Sequence, residues 1–229
     1  MPRRKRIALG GYVYHVLNRA NGRLKIFKKH GDFEAFEKII AQGLERFSMR
    51  LCGYCIMSNH WHLLLWPQED GALSEFMRWI TLTHTQRYHA AHDTTGIGHL
   101  YQGRFKSFPV MDESYYLTVM RYIESNPVRA EIVSKVDDWP WSSFAIREGY
   151  ESPFSLSDGP VKLPSNWNQL VNEQIPEKEL DDLANSIKRG APLGDPEWAK
   201  VTALKMGLES SLRPRGRPKK WSLLGSEPN

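Results

Sequence analysis

Cysteine is almost absent from this chain of 229 residues: there are two, Cys52 and Cys55. A disulfide framework therefore does not hold the fold, and a small cysteine-rich secreted scaffold is excluded. Long apolar runs are missing too, since no stretch approaches the roughly 20 residues that a membrane helix needs. The opening residues, Met1-Pro2-Arg3-Arg4-Lys5-Arg6, lack the apolar segment of a signal peptide. These absences lead us to expect a cytoplasmic, nucleoid-associated protein without membrane contact. Charge of one sign does not dominate either, because 31 Lys and Arg stand against 26 Asp and Glu and leave +5. What is present is ordinary: 41% hydrophobic and 11% aromatic residues suffice for a sizeable core, expected as one domain with an appendage.

The cations concentrate at the two ends. Arg3, Arg4, Lys5 and Arg6 are consecutive, and Arg213, Arg215, Arg217, Lys219 and Lys220 fall within eight positions. Such clusters favour polyanions, because each phosphate neutralised releases condensed counterions. Pro214-Arg215-Gly216-Arg217-Pro218 has the form of an AT-hook. Gly216 would let the backbone sit deep in a narrow minor groove while Arg215 and Arg217 extend along its floor. Nucleic acid is the expected partner, with an A·T-rich duplex as the target of the tail.

Hydrophobic spacing predicts a strand over 12–18 and a helix over 32–47, with Phe33, Phe36, Ile39, Ile40, Leu44 and Phe47 on one stripe. Strands over 51–57 and 60–66 are joined by the tight Ser58-Asn59 turn, hence an antiparallel hairpin. A helix over 73–91 follows, with Phe76, Trp79, Ile80 and Thr83 inward, and then a strand over 105–111. A third helix, over 112–126, is expected to be capped by Asp112 and stopped by Pro127. Up to the fourth strand this is an α+β fold, a ferredoxin-like split β-α-β-β-α-β antiparallel sheet with helices on one face. Residues 1–150 form the expected main domain and 151–176, rich in Pro, Ser and Asn, a linker that wraps it. Over 177–229 a helical extension is expected: one helix carries Leu180, Leu183, Ala184 and Ile187 on a face and ends at Gly190. A second, opened by Asp195-Pro196 and closed by Gly207, would turn Trp198, Val201 and Leu204 inward.

The chemistry concentrates in Asn59-His60-Trp61-His62. Strand side chains alternate faces, so His60 and His62 project together while Trp61, Leu63 and Leu65 point into the core. Two neutral imidazoles side by side are half of a metal site. On the third helix Tyr122 and Asn126 stand four residues apart and share a face. Tyr116, Met120 and Ile123 follow the stripe that packs on the sheet, and Tyr115 has Val119 rather than a polar residue four positions on. Cys52 and Cys55 invite a zinc reading, but positions three apart on a strand face opposite sides, so buried inert thiols are expected.

Four stretches in this order resemble one family: Asn59-His60-Trp61-His62, then Tyr101-Gln102-Gly103-Arg104-Phe105-Lys106-Ser107, then Arg121-Tyr122-Ile123-Glu124-Ser125-Asn126-Pro127-Val128-Arg129-Ala130, then Trp139-Pro140-Trp141-Ser142-Ser143. Together they are similar to the REP-associated tyrosine transposases, within the HUH superfamily of single-strand transposases and nucleases. The resemblance implies an HUH fold over the first 150 residues or so. It further implies His60 and His62 as ligands of Mg²⁺ or Mn²⁺, Asn126 as the amide completing that site and Tyr122 as the nucleophile. Trp61 is larger than the small aliphatic residue expected between the histidines.

The implied reaction is cleavage and rejoining of single-stranded DNA at REP-type hairpins through a 5′-phosphotyrosine, by a monomer or homodimer. Arg3, Arg4, Lys5, Arg6, Asn18, Arg19, Arg104 and Lys106 are candidate DNA contacts, as are Arg213, Arg215, Gly216, Arg217, Lys219 and Lys220 of the tail. Two other readings stay open: a DNA-binding regulator without catalysis, and a metal-dependent hydrolase using water. The second lacks an H-x-H-x-D-H pattern for another metal position.

Overall fold

The computed structural model describes residues 7–112 and 114–213. Its centre is a four-stranded antiparallel sheet in the order β2-β3-β1-β4, built from β1 (Val13–Arg19), β2 (Met49–Met57), β3 (His60–Pro67) and β4 (Lys106–Val110). Helices α1 (His30–Arg46) and α2 (Ala72–Ala91) supply the two crossovers of the split β-α-β-β-α-β unit. The fold is thus α+β and ferredoxin-like, as the spacing predicts.

Both crossover helices lie on one face. Phe33, Phe36, Ile39 and Ile40 of α1, with Phe76, Met77 and Ile80 of α2, pack on Val16, Tyr54, Ile56, Trp61, Leu63 and Leu65. Burying each such side chain contributes about 1.5–3 kcal/mol. Trp61 fills this core, and its indole N–H donates to the Tyr101 hydroxyl at 3.0 Å, so its bulk is accommodated away from the two histidines.

The opposite face is covered as well, by α3 (Ser114–Glu124), whose Tyr116, Val119, Met120 and Ile123 pack on Val13, Cys55, Leu64, Phe108 and Val110. Because both faces are covered, β1 is buried throughout its first six residues and shows no alternation between core and solvent. Helix α3 ends two residues earlier than the spacing predicts. Pro127 cannot donate to the carbonyl of Ile123, and the chain restarts as α4 (Asn126–Arg129), with Ser125 between them still at helical dihedrals, φ −80° and ψ 0°.

A bulge overturns one expectation. The β2–β3 register shifts between Leu51 and Gly53, which turns the extra residue, Cys52, to the α3 face beside Cys55. The two cysteines therefore share a side rather than facing apart. Both are free and buried, and burial pushes the Cys52 thiol up to about 11, so the thiols are inert. A side chain at Gly53 would collide with Met120 Sδ, so glycine there lets α3 approach the sheet.

The C-terminal segments dock on this body. Residues 151–176 include α6 (Trp167–Asn172), whose Trp167 and Val171 join the α3 core, and α5 (Ser143–Arg147) precedes them. Helix α7 (Glu177–Arg189) ends at Gly190, which takes the left-handed φ of 70°. Leu193 then pairs with Val110, receiving the Met111 N–H at 2.8 Å and donating to Pro109 at 2.9 Å, which closes the outer edge of β4. In α7 Leu183 is buried as expected, but Ala184 is exposed and Ser186 takes the inner position. Helix α8 (Pro196–Met206) reverses its expected face: Val201 and Leu204 are 42% and 70% exposed, while Ala199, Thr202, Ala203 and Met206 face inward. Small side chains permit close packing there, a signal that a search for large apolar residues misses. None of the described helices is long and apolar enough to cross a membrane.

His84 shows how the fold depends on pH. Stacked on Phe27 and accepting from the Tyr101 hydroxyl at 2.5 Å, it is buried, and desolvation lowers its pKa from 6.5 to about 3. The unfolded chain gains this proton below about pH 6.5 whereas the fold resists it, so its stabilising contribution is complete above that pH and falls as acid is added. The denaturation midpoint should hold steady from pH 8 to 7 and drop between pH 6 and 4. His84→Gln, which keeps an acceptor for Tyr101, should remove up to about 1.4 kcal/mol per pH unit of that acid limb.

Candidate active site

The register of β1 and β3 assembles the site on the α3 face. Arg19 of β1 pairs with His60, and Leu17 with His62. His60 and His62 are side by side, their ring centroids 5.1 Å apart. The Tyr122 ring lies 5.8 Å from that of His62. Asn126, one short turn on, lines the same cavity as His60 and His62. The break between α3 and α4 does not separate Tyr122 from Asn126, because Ser125 preserves the helical path. Leu17, Arg19, His60, His62, Tyr122, Asn126, Arg129, Ala130 and Ile187 enclose an open cavity of about 250 Å³.

Burial keeps the imidazoles neutral. Desolvation, followed by the nearby Arg19 charge, lowers the pKa of His60 to about 4, and His62 lies well below 6.5 through burial and its neighbouring His15. His60 Nδ1 is 2.6 Å from Asn59 Oδ1, so this nitrogen carries the hydrogen and the other keeps its lone pair. Among the described residues no group of three or more His, Cys, Asp or Glu is arranged to hold a metal ion. A cation at this site would therefore depend on the amide of Asn126 beside the two imidazoles. That donor set is neutral, and among the described residues no carboxylate lines the cavity.

Three lining or neighbouring residues were not foreseen from the sequence. Arg129 stacks its guanidinium 4.0 Å from the Tyr122 ring centroid and donates to the Tyr122 carbonyl at 3.3 Å. His15 lies 2.8 Å from His62 through ring nitrogens. Ile187 brings α7 to the cavity wall, so the C-terminal helices are part of the site's surroundings. The signal for Arg129 was its place seven residues after Tyr122, two helical turns along the same face.

Other predicted contacts divide. A second cavity of about 510 Å³ continues from the first through Leu17, Arg19 and Ile187, and runs along Asn18 and residues 102–106. Arg104 and Lys106 are exposed along it. Asn18 differs: its side chain is buried, donating to the Gly103 carbonyl at 3.3 Å and accepting the Arg19 N–H at 2.9 Å. Its amide is thus occupied in holding the 102–106 loop. Arg213 is described and exposed, outside the lining of these cavities, with its carbonyl held by Arg189. Arg3, Arg4, Lys5, Arg6, Arg215, Gly216, Arg217, Lys219 and Lys220 lie outside the described residues.

Residues 9–126, which carry the sheet, both histidines, Tyr122 and Asn126, match the model of the IS200-like transposases. The chain belongs to that family. A solved REP-associated tyrosine transposase bound to a REP hairpin is 22% identical, with a TM-score of 0.52 over 77% of this chain and 99% of that one. At this identity the likeness shows a shared fold. A structure described as a transposase, from Deinococcus radiodurans, is 18% identical with a TM-score of 0.38, covering 54% of this chain and 96% of that one. No curated protein sequence matches. The matched region makes this IS200-like transposase a DNA-transposition enzyme in class, with its C-terminal helices beyond the matched residues.

Proposed function

We propose that this transposase cleaves and rejoins single-stranded DNA at hairpins of the REP type, using Tyr122 as nucleophile and Mg²⁺ or Mn²⁺ held by His60, His62 and Asn126. The observation that carries the reading is the convergence of two neutral imidazoles, a carboxamide and a tyrosine in one cavity between Arg19 and Arg129. The donor set fits a divalent cation. Its imidazole nitrogens suit Mn²⁺ better than Mg²⁺, and its neutrality leaves the cation's charge to be balanced by a DNA phosphate. When bound, the cation would withdraw charge from the scissile phosphate and stabilise its crowded transition state.

The chain's own groups do the rest. Tyr122 Oη forms a bond to phosphorus as the phosphorus–O3′ bond breaks, which leaves a 5′-phosphotyrosine and a 3′-OH. The phenolic proton passes to water in the open cavity, and the departing 3′ oxygen takes one up. Arg19 and Arg129 hold the anionic phosphate at the cavity, and the Arg129 stack fixes the ring from which attack begins. Because the adduct conserves the phosphodiester, attack by a second 3′-OH reverses the step and joins new ends without ATP. Arg104 and Lys106 contact the backbone of the strand along the adjoining cavity, which a single strand enters more readily than a regular duplex. That a REP-associated relative is bound to a REP hairpin supports this choice of substrate. The basic tail adds affinity for duplex DNA.

The test is a labelled single-stranded hairpin incubated with the protein and Mn²⁺, followed by denaturing electrophoresis for a covalent protein–DNA adduct. His60→Ala and His62→Ala should each abolish metal-stimulated cleavage. Asn126→Ala should weaken it and raise the Mn²⁺ concentration required, on the order of 10-fold or more, since one donor of several is lost. Cleavage by His62→Ala at the native rate, with the same Mn²⁺ dependence, would remove the metal assignment.

A further inference from the structure

His15 belongs to the site cluster, yet the cleavage chemistry gives it no task. It is 0% exposed, in the middle of β1, on the face that carries His62 in the neighbouring strand. Its Nε2 is 2.8 Å from His62 Nδ1, and the rings stack with centroids 5.0 Å apart. Phe108 meets its ring edge-on at 5.0 Å, and Tyr122 lies 6.0 Å away. Its other nitrogen, Nδ1, is buried and has no hydrogen-bond partner among the described residues. An apolar ring would spare this unpaired nitrogen but would strand His62 Nδ1, so the imidazole's gain lies in its contact with His62. Among the described residues, the one polar contact it makes is with His62.

A neutral imidazole has one N–H, so the contact admits two arrangements. If His15 Nε2 carries the hydrogen, His62 Nδ1 accepts it and His62 Nε2–H faces outward, unable to donate to a cation. If His62 Nδ1 carries it, His62 Nε2 keeps its lone pair. His60 has the second arrangement, with Asn59 Oδ1 at its Nδ1. We propose that His15 is a positioning residue for His62: its Nε2 accepts the Nδ1–H of His62, fixes that ring and holds the Nε2 lone pair toward the cavity for a divalent cation. Asn59 and His15 thus serve the two histidines in the same way, one from the hairpin turn and one from the next strand. The inference rests on the metal role proposed for His62.

The native chain, His15→Phe and His15→Gln separate the possibilities. In metal-free protein, ¹⁵N NMR of the imidazoles should show His62 as the Nδ1–H tautomer in the native chain, and this preference should disappear in His15→Phe. Mn²⁺ binding, read by the electron paramagnetic resonance of the free ion, should weaken roughly 10- to 100-fold in His15→Phe. His15→Gln, whose carbonyl oxygen can accept the same hydrogen, should recover most of it. The melting temperature of His15→Phe should change little, since the variant removes one buried unpaired nitrogen and strands another, His62 Nδ1. A purely structural histidine predicts the reverse, a lower melting temperature with Mn²⁺ affinity unchanged, and that result overturns the proposal. So does an Nε2–H tautomer for His62 in the native chain. Failure of the native chain to bind Mn²⁺ removes the metal reading instead, while the tautomer measurement still decides the His15 contact.

Discussion

Tyr122→Phe is expected to fold, bind hairpin DNA with nearly native affinity and form no covalent adduct. The substitution removes one oxygen from a half-buried ring that keeps its stacking on Arg129 and its place beside His62. Loss of the nucleophile should lower cleavage by on the order of 10⁴-fold or more, because the remaining groups have no bond-forming partner. Tyr115→Phe is the matched control. Tyr115 packs at the margin of the α3 core and is absent from the cavity, so its variant should keep cleavage. Denaturing gels of labelled DNA measure both. Residual cleavage by Tyr122→Phe without an adduct would mean that water attacks, and the hydrolase reading would replace the tyrosine mechanism.

The helical and strand periods were legible because large apolar residues mark them, and the crossover topology followed from their order. The pairing of His60 with His62 and of Tyr122 with Asn126 was legible from local spacing, alternate positions on a strand and four positions on a helix. The meeting of the two pairs was implied only by the family resemblance. His15 was not legible. Its partner is 47 residues away, and only the β1–β3 register brings them together. Cys52 was misread for a related reason, since a single bulged residue reverses side-chain parity and no residue type announces it. Val201 and Leu204 were misassigned because small residues form the packed face of α8. In each failure the deciding interaction is long-range or depends on close backbone approach, which local periodicity does not encode.

Glu124 carries the second large expectation, and it too was opaque from sequence, standing as an ordinary acid between Tyr122 and Asn126. Its carboxylate is 0% exposed. One oxygen accepts from Ser143 at 2.5 Å and pairs with Arg147, the other accepts from the Trp167 indole at 2.8 Å, and Arg147 also donates to the Cys52 carbonyl at 2.8 Å. One side chain thereby ties α3 to α5, α6 and β2 just where the chain turns from Tyr122 to Asn126. Glu124→Ala leaves a largely buried guanidinium and an indole N–H without their acceptor. Removal of one partner of such a pair costs about 3–5 kcal/mol, which in a domain of this size lowers the melting temperature by roughly 6–20 °C. Arg147→Met alone strands the carboxylate and should cost a similar amount. The double variant Glu124→Gln/Arg147→Met should lose less than the sum of its two single variants, with a coupling of about 1–3 kcal/mol, because it leaves no unpaired charge behind. Strictly additive losses in thermal or denaturant unfolding would show that the pair does not act as a unit.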